Sequence, residues 1–500
     1  MTPMAHPDRL SALDSAFLHL ESAGPSHMHV ASVMIFAGEA PTLQELVAHV
    51  QSRLHLVPRY RQRLAFVPLG QGRPVWVDDP HFNPYYHIRS TALPAPADNA
   101  ALKSLAGRVF SERLERHRPL WELWLVERLA RKRFAIIAKA HHALVDGISG
   151  VDITTVLLDA TADPEDRWGR AALRRSWVAK PLPSPVKLLG EALVERATLP
   201  NEMARGASAL ARRPRKALVR MREALSEVRA FAWAGIGSPA PPSPFNVDIG
   251  LHRRYTFLDG DLERFREIKA TLGGTINDAV LTVVALALGG YLRAAGHPTD
   301  GLVLRAMVPV SVRVQAERGA LGNRVAAMWA PLPVGVSDPR RCHAEVRDAM
   351  RELKRSGQAV GAQVITNLAG FAPPTILSQA ARLQARQRYF NLVVTNVPGP
   401  QFPLYMLGHQ LVALYPVLPL AQRQALGIAV MSYNGKLGFG LLGDYDALPD
   451  IESIAVRLRR AISALARAAA APGPGEQGRP PGRNPPRARK PARTPLRATG

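Results

Sequence analysis

The stretch best equipped for chemistry is His141-His142-Ala143-Leu144-Val145-Asp146-Gly147. A histidine titrates at about 6.5 when unperturbed, so a neutral ring accepts a proton at physiological pH. Asp146 follows His142 by four residues, close enough to hold the ring in one tautomer or to brace the loop. That is the minimum equipment for deprotonating an alcohol or a thiol without a covalent intermediate. The spacing alone is weak, because it arises by chance in many proteins and paired histidines are commonly structural or solvated. A metal site is the poorer alternative. Adjacent side chains on an extended segment point opposite ways, and no Cys, Glu or further His lies nearby at a ligand spacing.

The elements around this run place it at a strand end. Residues 134–140 are apolar and rich in strand formers, and residues 148–158 can carry a helix. Upstream, residues 10–21 read as a helix, 28–36 as a strand, 43–54 as a helix with Thr42 as its N-cap, 67–77 as a strand pair, 99–116 as a helix and 118–126 as a strand. His19, His27 and His29 read as packing or surface residues. After a Pro-rich, basic stretch an α/β pattern restarts: a strand from Arg253, a helix at 262–272, and a buried helix at 279–292 capped by Thr275. Strands at 302–313, 325–332 and 390–397 follow, with a helix at 338–357 among them. A hairpin through Asn434-Gly435 and a closing helix at 450–471 complete the pattern. The expected organisation is an α/β fold in two halves, 1–168 and 246–471, joined by a basic helical linker at 169–245 and ending in a disordered basic Pro/Arg-rich tail at 472–500.

Composition bounds the rest. The 500 residues allow about two to four domains. A hydrophobic content of 47% suffices for a large core. The single cysteine, Cys342, can form no disulfide within the chain, which fits a reducing compartment, and it is assigned no role. The N-terminus is polar, without a signal core, and the longest apolar run is shorter than the ~20 residues a bilayer requires. The net charge of +24 is uneven: residues 170–229 carry a surplus of nine positive charges and the tail a surplus of six. Within the linker, Leu218, Met221, Leu225 and Val228 form an apolar stripe among arginines, which suits a membrane surface or an interdomain crossover. No nucleic-acid fold signature accompanies the charge. An anionic phospholipid surface is therefore the favoured partner, with a merely solvated basic face as the alternative.

With these pieces assembled, the sequence resembles the bacterial wax ester synthase/diacylglycerol acyltransferase family from about residue 10 to residue 466. Nine motifs occur in the family's order: Leu13-Asp14 with Phe17, Met28-His29-Val30, Pro119-Leu120-Trp121, the His-His-x-x-x-Asp-Gly run, Asn277-Asp278, Pro309-Val310-Ser311 with Arg313, Gly322-Asn323, Asn396-Val397-Pro398-Gly399-Pro400 and Ser432-Tyr433. The run Phe245-Asn246-Val247-Asp248-Ile249-Gly250, the tail and the basic load of the linker depart from the family's pattern. The resemblance implies two halves similar to chloramphenicol acetyltransferase, each a mixed sheet with helices, and a substrate tunnel between them. It implies transfer from long-chain acyl-CoA, a co-substrate with no further cofactor, to diacylglycerol or a fatty alcohol, by a cytoplasmic protein peripherally bound to the inner face of the plasma membrane or to lipid inclusions. His142 then serves as general base and His141 supports the loop. Asp146 braces the loop, with Arg313 as a candidate partner. Asn277 orients His142 or stabilises the oxyanion, and Asp278 is structural. A condensation-like acyltransferase on another hydroxyl, and a non-catalytic lipid-surface protein, are the alternatives.

Overall fold

The structure, a computed structural model, describes residues 8–145, 157–163, 177–194, 239–311, 325–355 and 389–471. Its first half contains α1 (Ala12–Ala23), β1 (His29–Ala37), α2 (Leu43–Arg53), the hairpin β2 (Gln62–Ala65) and β3 (Val75–Asp78), α3 (Pro84–His87), β4 (Ile88–Thr91), α4 (Asn99–Ser111), β5 (Trp121–Leu129), β6 (Arg133–His141) and α5 (His142–Val145). The second contains β7 (Arg253–Asp261), α6 (Leu262–Leu272), α7 (Ile276–Ala294), β8 (Leu304–Ser311), β9 (Val325–Leu332), α8 (Pro339–Arg355), β10 (Leu392–Val397), β11 (Tyr405–Met406), β12 (His409–Val417), β13 (Leu426–Tyr433), β14 (Lys436–Asp444) and α9 (Ile451–Ala470).

Local chemistry accounts for most boundaries. Thr42 and Glu45 satisfy each other's backbone N–H groups in a capping box at the start of α2, and Thr275 with Asp278 does the same for α7. The expected helix over 99–116 stops at Ser111. The buried Lys139 ammonium donates to Val109 O at 3.0 Å and Glu112 O at 3.1 Å, occupying carbonyls at that helix end. The expected strand pair over 67–77 is displaced: β2 ends at Ala65, and Pro68–Gly70 form a turn in which Pro68 has no N–H to give a ladder. Asn434 and Gly435 both take positive φ in the β13–β14 turn.

Two six-stranded mixed sheets result, in the orders β11-β12-β1-β6-β5-β4 and β7-β14-β13-β10-β8-β9. The sheets do not follow the chain halves, because β11 and β12, from the second half, complete the first sheet, where β12 pairs antiparallel with β1. To reach it β12 passes directly over β14. A Cβ on Gly438 would collide with Leu414 O, and one on Gly440 with Pro416 O, so the absence of side chains there permits the crossing. Val33 and Ile35 of β1, Leu102 and Val109 of α4, Phe257 of β7 and Val283 of α7 belong to one buried apolar cluster, so a single core spans both halves. α7 is apolar and long enough to cross a membrane by composition, but 67% of its most apolar window is buried, and it packs against α6, α8 and α9. The run 245–250 is anchored: Phe245 is buried, and Asn391 Nδ2 donates to Asn246 Oδ1 at 2.6 Å.

Candidate active site

His141 is the last residue of β6 and pairs in register with His29 of β1. His142 follows as the first residue of α5, where the strand ends. The backbone pins both: His141 N–H donates to Leu120 O at 2.9 Å, and His142 N–H to Met28 O at 2.7 Å. Two of the sequence motifs thus hold the third through main-chain bonds. Trp121 is buried, donates Nε1–H to Tyr60 O at 2.7 Å and stacks on His87, so Pro119-Leu120-Trp121 acts by packing.

The two rings sit in different surroundings. His142 is half-buried, and the Phe17 ring of α1 lies 4.4 Å from it, tilted by 48°. His141 is buried. Its Nδ1 accepts the Ala143 N–H at 3.1 Å, which puts the ring proton on Nε2, 3.6 Å from a Glu21 carboxylate oxygen. Glu21, only 2% exposed, also meets His29 Nε2 at 3.3 Å and Arg116 at 2.8 Å. Burial pushes the Glu21 carboxyl up, but the contacts from His141 and His29 outweigh it and hold the group well below the usual carboxylate range.

His27 and His29, expected as scattered packing or surface residues, are buried and stacked with ring centroids 5.6 Å apart. Burial pushes His29 down to about 3 and His27 to about 4, so both rings are neutral at pH 7. His27 Nε2 lies 3.1 Å from Leu251 O of the second half, and since a carbonyl only accepts, that nitrogen carries the proton. A polar column, buried from His27 onward, therefore runs from the Leu251 carbonyl through His27, His29 and Glu21 to His141, the residue before His142.

The other expected residues are dispersed. Asp146, Gly147, Arg313 and Gly322-Asn323 lie outside the described residues, as do most of the linker and the whole tail. Asn277 is half-buried in the first turn of α7, in the second half, and among the described residues no hydrogen bond joins it to either histidine. Asp278 Oδ2 accepts the Thr275 N–H at 2.8 Å and is spent on the cap. Gly399 N–H donates to Ser432 Oγ at 3.1 Å. Tyr433 Oη accepts Leu404 N–H at 2.8 Å and donates to Leu411 O at 3.0 Å. These two motifs thus steer the chain into the crossing strand. Cys342 is buried, and burial pushes its thiol up to about 12, a value at which it is inert. Among the described residues no group of three His, Cys, Asp or Glu is disposed to hold a metal ion.

The family model for the wax ester synthase/diacylglycerol acyltransferase catalytic domain matches residues 10–280, and that for the WS/DGAT C-terminal domain matches residues 321–466. The chain belongs to the wax ester synthase/diacylglycerol acyltransferase family. A Mycobacterium tuberculosis H37Rv relative named probable diacylglycerol O-acyltransferase tgs2 is 33% identical over 472 residues, covering 92% of this chain and 99% of the relative. The solved wax ester synthase/diacylglycerol acyltransferase from Marinobacter aquaeolei VT8 is 27% identical with a TM-score of 0.63, covering 93% of this chain and 100% of that one. A starter condensation domain of rhizomide synthetase, solved with C8-CoA and Leu-SNAC, superposes with a TM-score of 0.54 at 14% identity over 93% of this chain and 94% of that one. That likeness shows a shared condensation-domain-like architecture of two mixed sheets. The chain is an acyltransferase of a lipid-synthesising family, and within that family frame the His141-His142 strand end is its candidate centre.

Proposed function

We propose that the protein transfers a long-chain acyl group from acyl-CoA to the hydroxyl of diacylglycerol or of a long-chain alcohol, with His142 as general base. The observation that carries this reading is the position of His142. Its backbone is fixed by Met28 O, its ring is half-buried against Phe17, and its neighbour His141 is held in one tautomer over a buried carboxylate.

In the proposed reaction the acceptor oxygen attacks the thioester carbonyl while the His142 ring takes the hydroxyl proton. The tetrahedral intermediate collapses, the carbon–sulfur bond breaks, and the imidazolium returns its proton to the CoA thiolate. The thioester is already activated, so no acyl-enzyme is required, and a placed base contributes about 10² to 10⁴ in rate. Asp146 is proposed to brace the loop, Asn277 to orient the base or stabilise the oxyanion, and the two substrates to meet in a passage between the halves. The site of action is proposed to be the cytoplasmic face of a membrane or a lipid inclusion. Phe17 supplies one apolar wall beside the base, in keeping with a greasy acceptor.

The test is incubation of purified protein with palmitoyl-CoA plus either diacylglycerol or hexadecanol, following CoA release and lipid product. Product with one or both acceptors is expected. Release with neither points to a condensation-like acyltransferase on another hydroxyl or to a non-catalytic lipid-surface protein.

A further inference from the structure

Ordinary surface helices bury one apolar stripe and turn charge outward. The helix over residues 185–194 does otherwise. Leu188 and Ala192 face inward, with Leu188 packed on Val75 and Val77 of β3. Outward it presents Val186, Leu193 and Val194, which are 80%, 50% and 60% exposed and fall at i, i+7 and i+8 on one face.

The loop between β2 and β3 lies against this helix, with Gly72 packed beside Ala192. At the loop tip Phe66 is 46% exposed and Leu69 84%. Leu69 takes φ 58°, a left-handed conformation that is costly for any residue with a Cβ, and the chain holds it there while displaying the side chain to solvent. Among the described residues no packing contact accounts for a strained, largely exposed leucine. Of the charges on the same hairpin and helix, Lys187 is exposed and Arg63, Arg73 and the one accessible acid, Glu191, are partly so, whereas Asp78 and Asp79 are buried, with Asp79 4.0 Å from Arg63; the accessible balance is positive.

We propose that the tip at Phe66–Leu69 and the outer face of the 185–194 helix insert together into an anionic phospholipid surface. The apolar side chains enter the acyl boundary while the flanking lysine and arginines meet the headgroups. An exposed apolar tip flanked by more basic than acidic side chains fits a soft, anionic plane better than a complementary protein groove. The proposal rests on the reading that the acceptor is a lipid, because it places the enzyme on the phase that holds that acceptor.

The full chain is tested by co-sedimentation with phosphatidylcholine vesicles, with and without phosphatidylglycerol, against the variant Leu69→Ser/Val186→Ser/Leu193→Ser. Wild type is expected to bind, more tightly with phosphatidylglycerol, and the variant to bind at least about tenfold more weakly. Activity of the variant on detergent-dispersed diacylglycerol is expected to be unchanged. Amide exchange across 185–194 should slow only when vesicles are added. Equal binding by the variant overturns the proposal, as does protection of 185–194 without lipid, which means another part of the chain covers that face. Failure of the catalytic reading appears separately, as absence of wild-type activity in detergent whatever the vesicles show.

Discussion

The first sheet buries Lys139, Glu122, His29 and His141 on strands that meet near the candidate centre, with Glu21 and Arg116 against them; the second buries one ion pair, Arg253 with Asp444 at 3.6 Å, but is otherwise dominated by apolar side chains such as Ile428, Val430, Phe439 and Leu441, with Gly438 and Gly440 bare to let a strand pass. Size and mixed strand pairing are alike in both. The difference lies in what each interior holds in place. Lys139 sits 3.3 Å from Glu122 and Arg116 2.8 Å from Glu21, so the buried charges of the first sheet are paired. Such pairs contribute little net stability over apolar packing of the same volume. Glu21 in particular meets His29 and His141, so its place there is better explained by holding those rings than by stability. The second sheet supplies a platform and a crossing point.

The largest effect that can test this division is expected from His142→Ala, which should lower kcat by about 10² to 10⁴ with thermal unfolding unchanged; retained turnover would remove the chemistry from the first sheet. Next comes Glu21→Gln. It keeps the volume but removes the charge that fixes His141 and His29, so kcat should fall about tenfold, the equivalent of 1.4 kcal/mol, with KM near its wild-type value. A rise in KM alone would mean that Glu21 shapes a substrate wall instead. In the second sheet, Gly440→Val should cost about 1–3 kcal/mol, read as a lowered Tm, while specific activity per folded molecule stays within about twofold; a fall in activity without a fall in Tm would break the contrast.

The smallest effect concerns pH. The folded chain keeps His27 and His29 neutral down to about 4 and about 3, whereas in the unfolded chain both take a proton at about 6.5. The unfolded state binds more protons in that window, so stability is complete above 6.5 and declines as the pH falls through it. Glu21, held low when folded, extends the decline below about 4.5, where the unfolded carboxyl protonates. Tm is expected to drop between pH 6.5 and pH 4.5, and the drop to be shallower in His29→Gln; an identical slope would show that another group governs acid stability.

Much of this was legible in the residues themselves. Caps written in adjacent side chains gave α2 and α7, the Asn434-Gly435 turn gave the β13–β14 hairpin, and the apolar run before His141 gave the strand end. What escaped depends on partners distant in sequence. Strand β12 is recruited to the first sheet because two glycines more than twenty residues later leave room for it, and no local pattern encodes that. Glu21 was missed because a charged residue on a short helix reads as solvated. The available signal was its place four residues after Phe17, on the same helix as the buried Asp14 and Leu18. His27 and His29 looked incidental because stacking depends on where β1 meets β6, which spacing does not reveal.

The crossing strand also bears on how the protein is made. Until residue 417 has left the ribosome, β1 is an edge with unpaired amide and carbonyl groups, a template for pairing with other nascent chains. At ordinary synthesis rates of about 5–20 residues per second, the wait after β6 emerges lasts roughly 15 to 50 seconds. The N-terminal portion, which bears the histidines, thus spends most of its birth unfinished, and chaperone attendance during translation, or coexpression of the missing strand with a truncated chain, should decide how much of it survives.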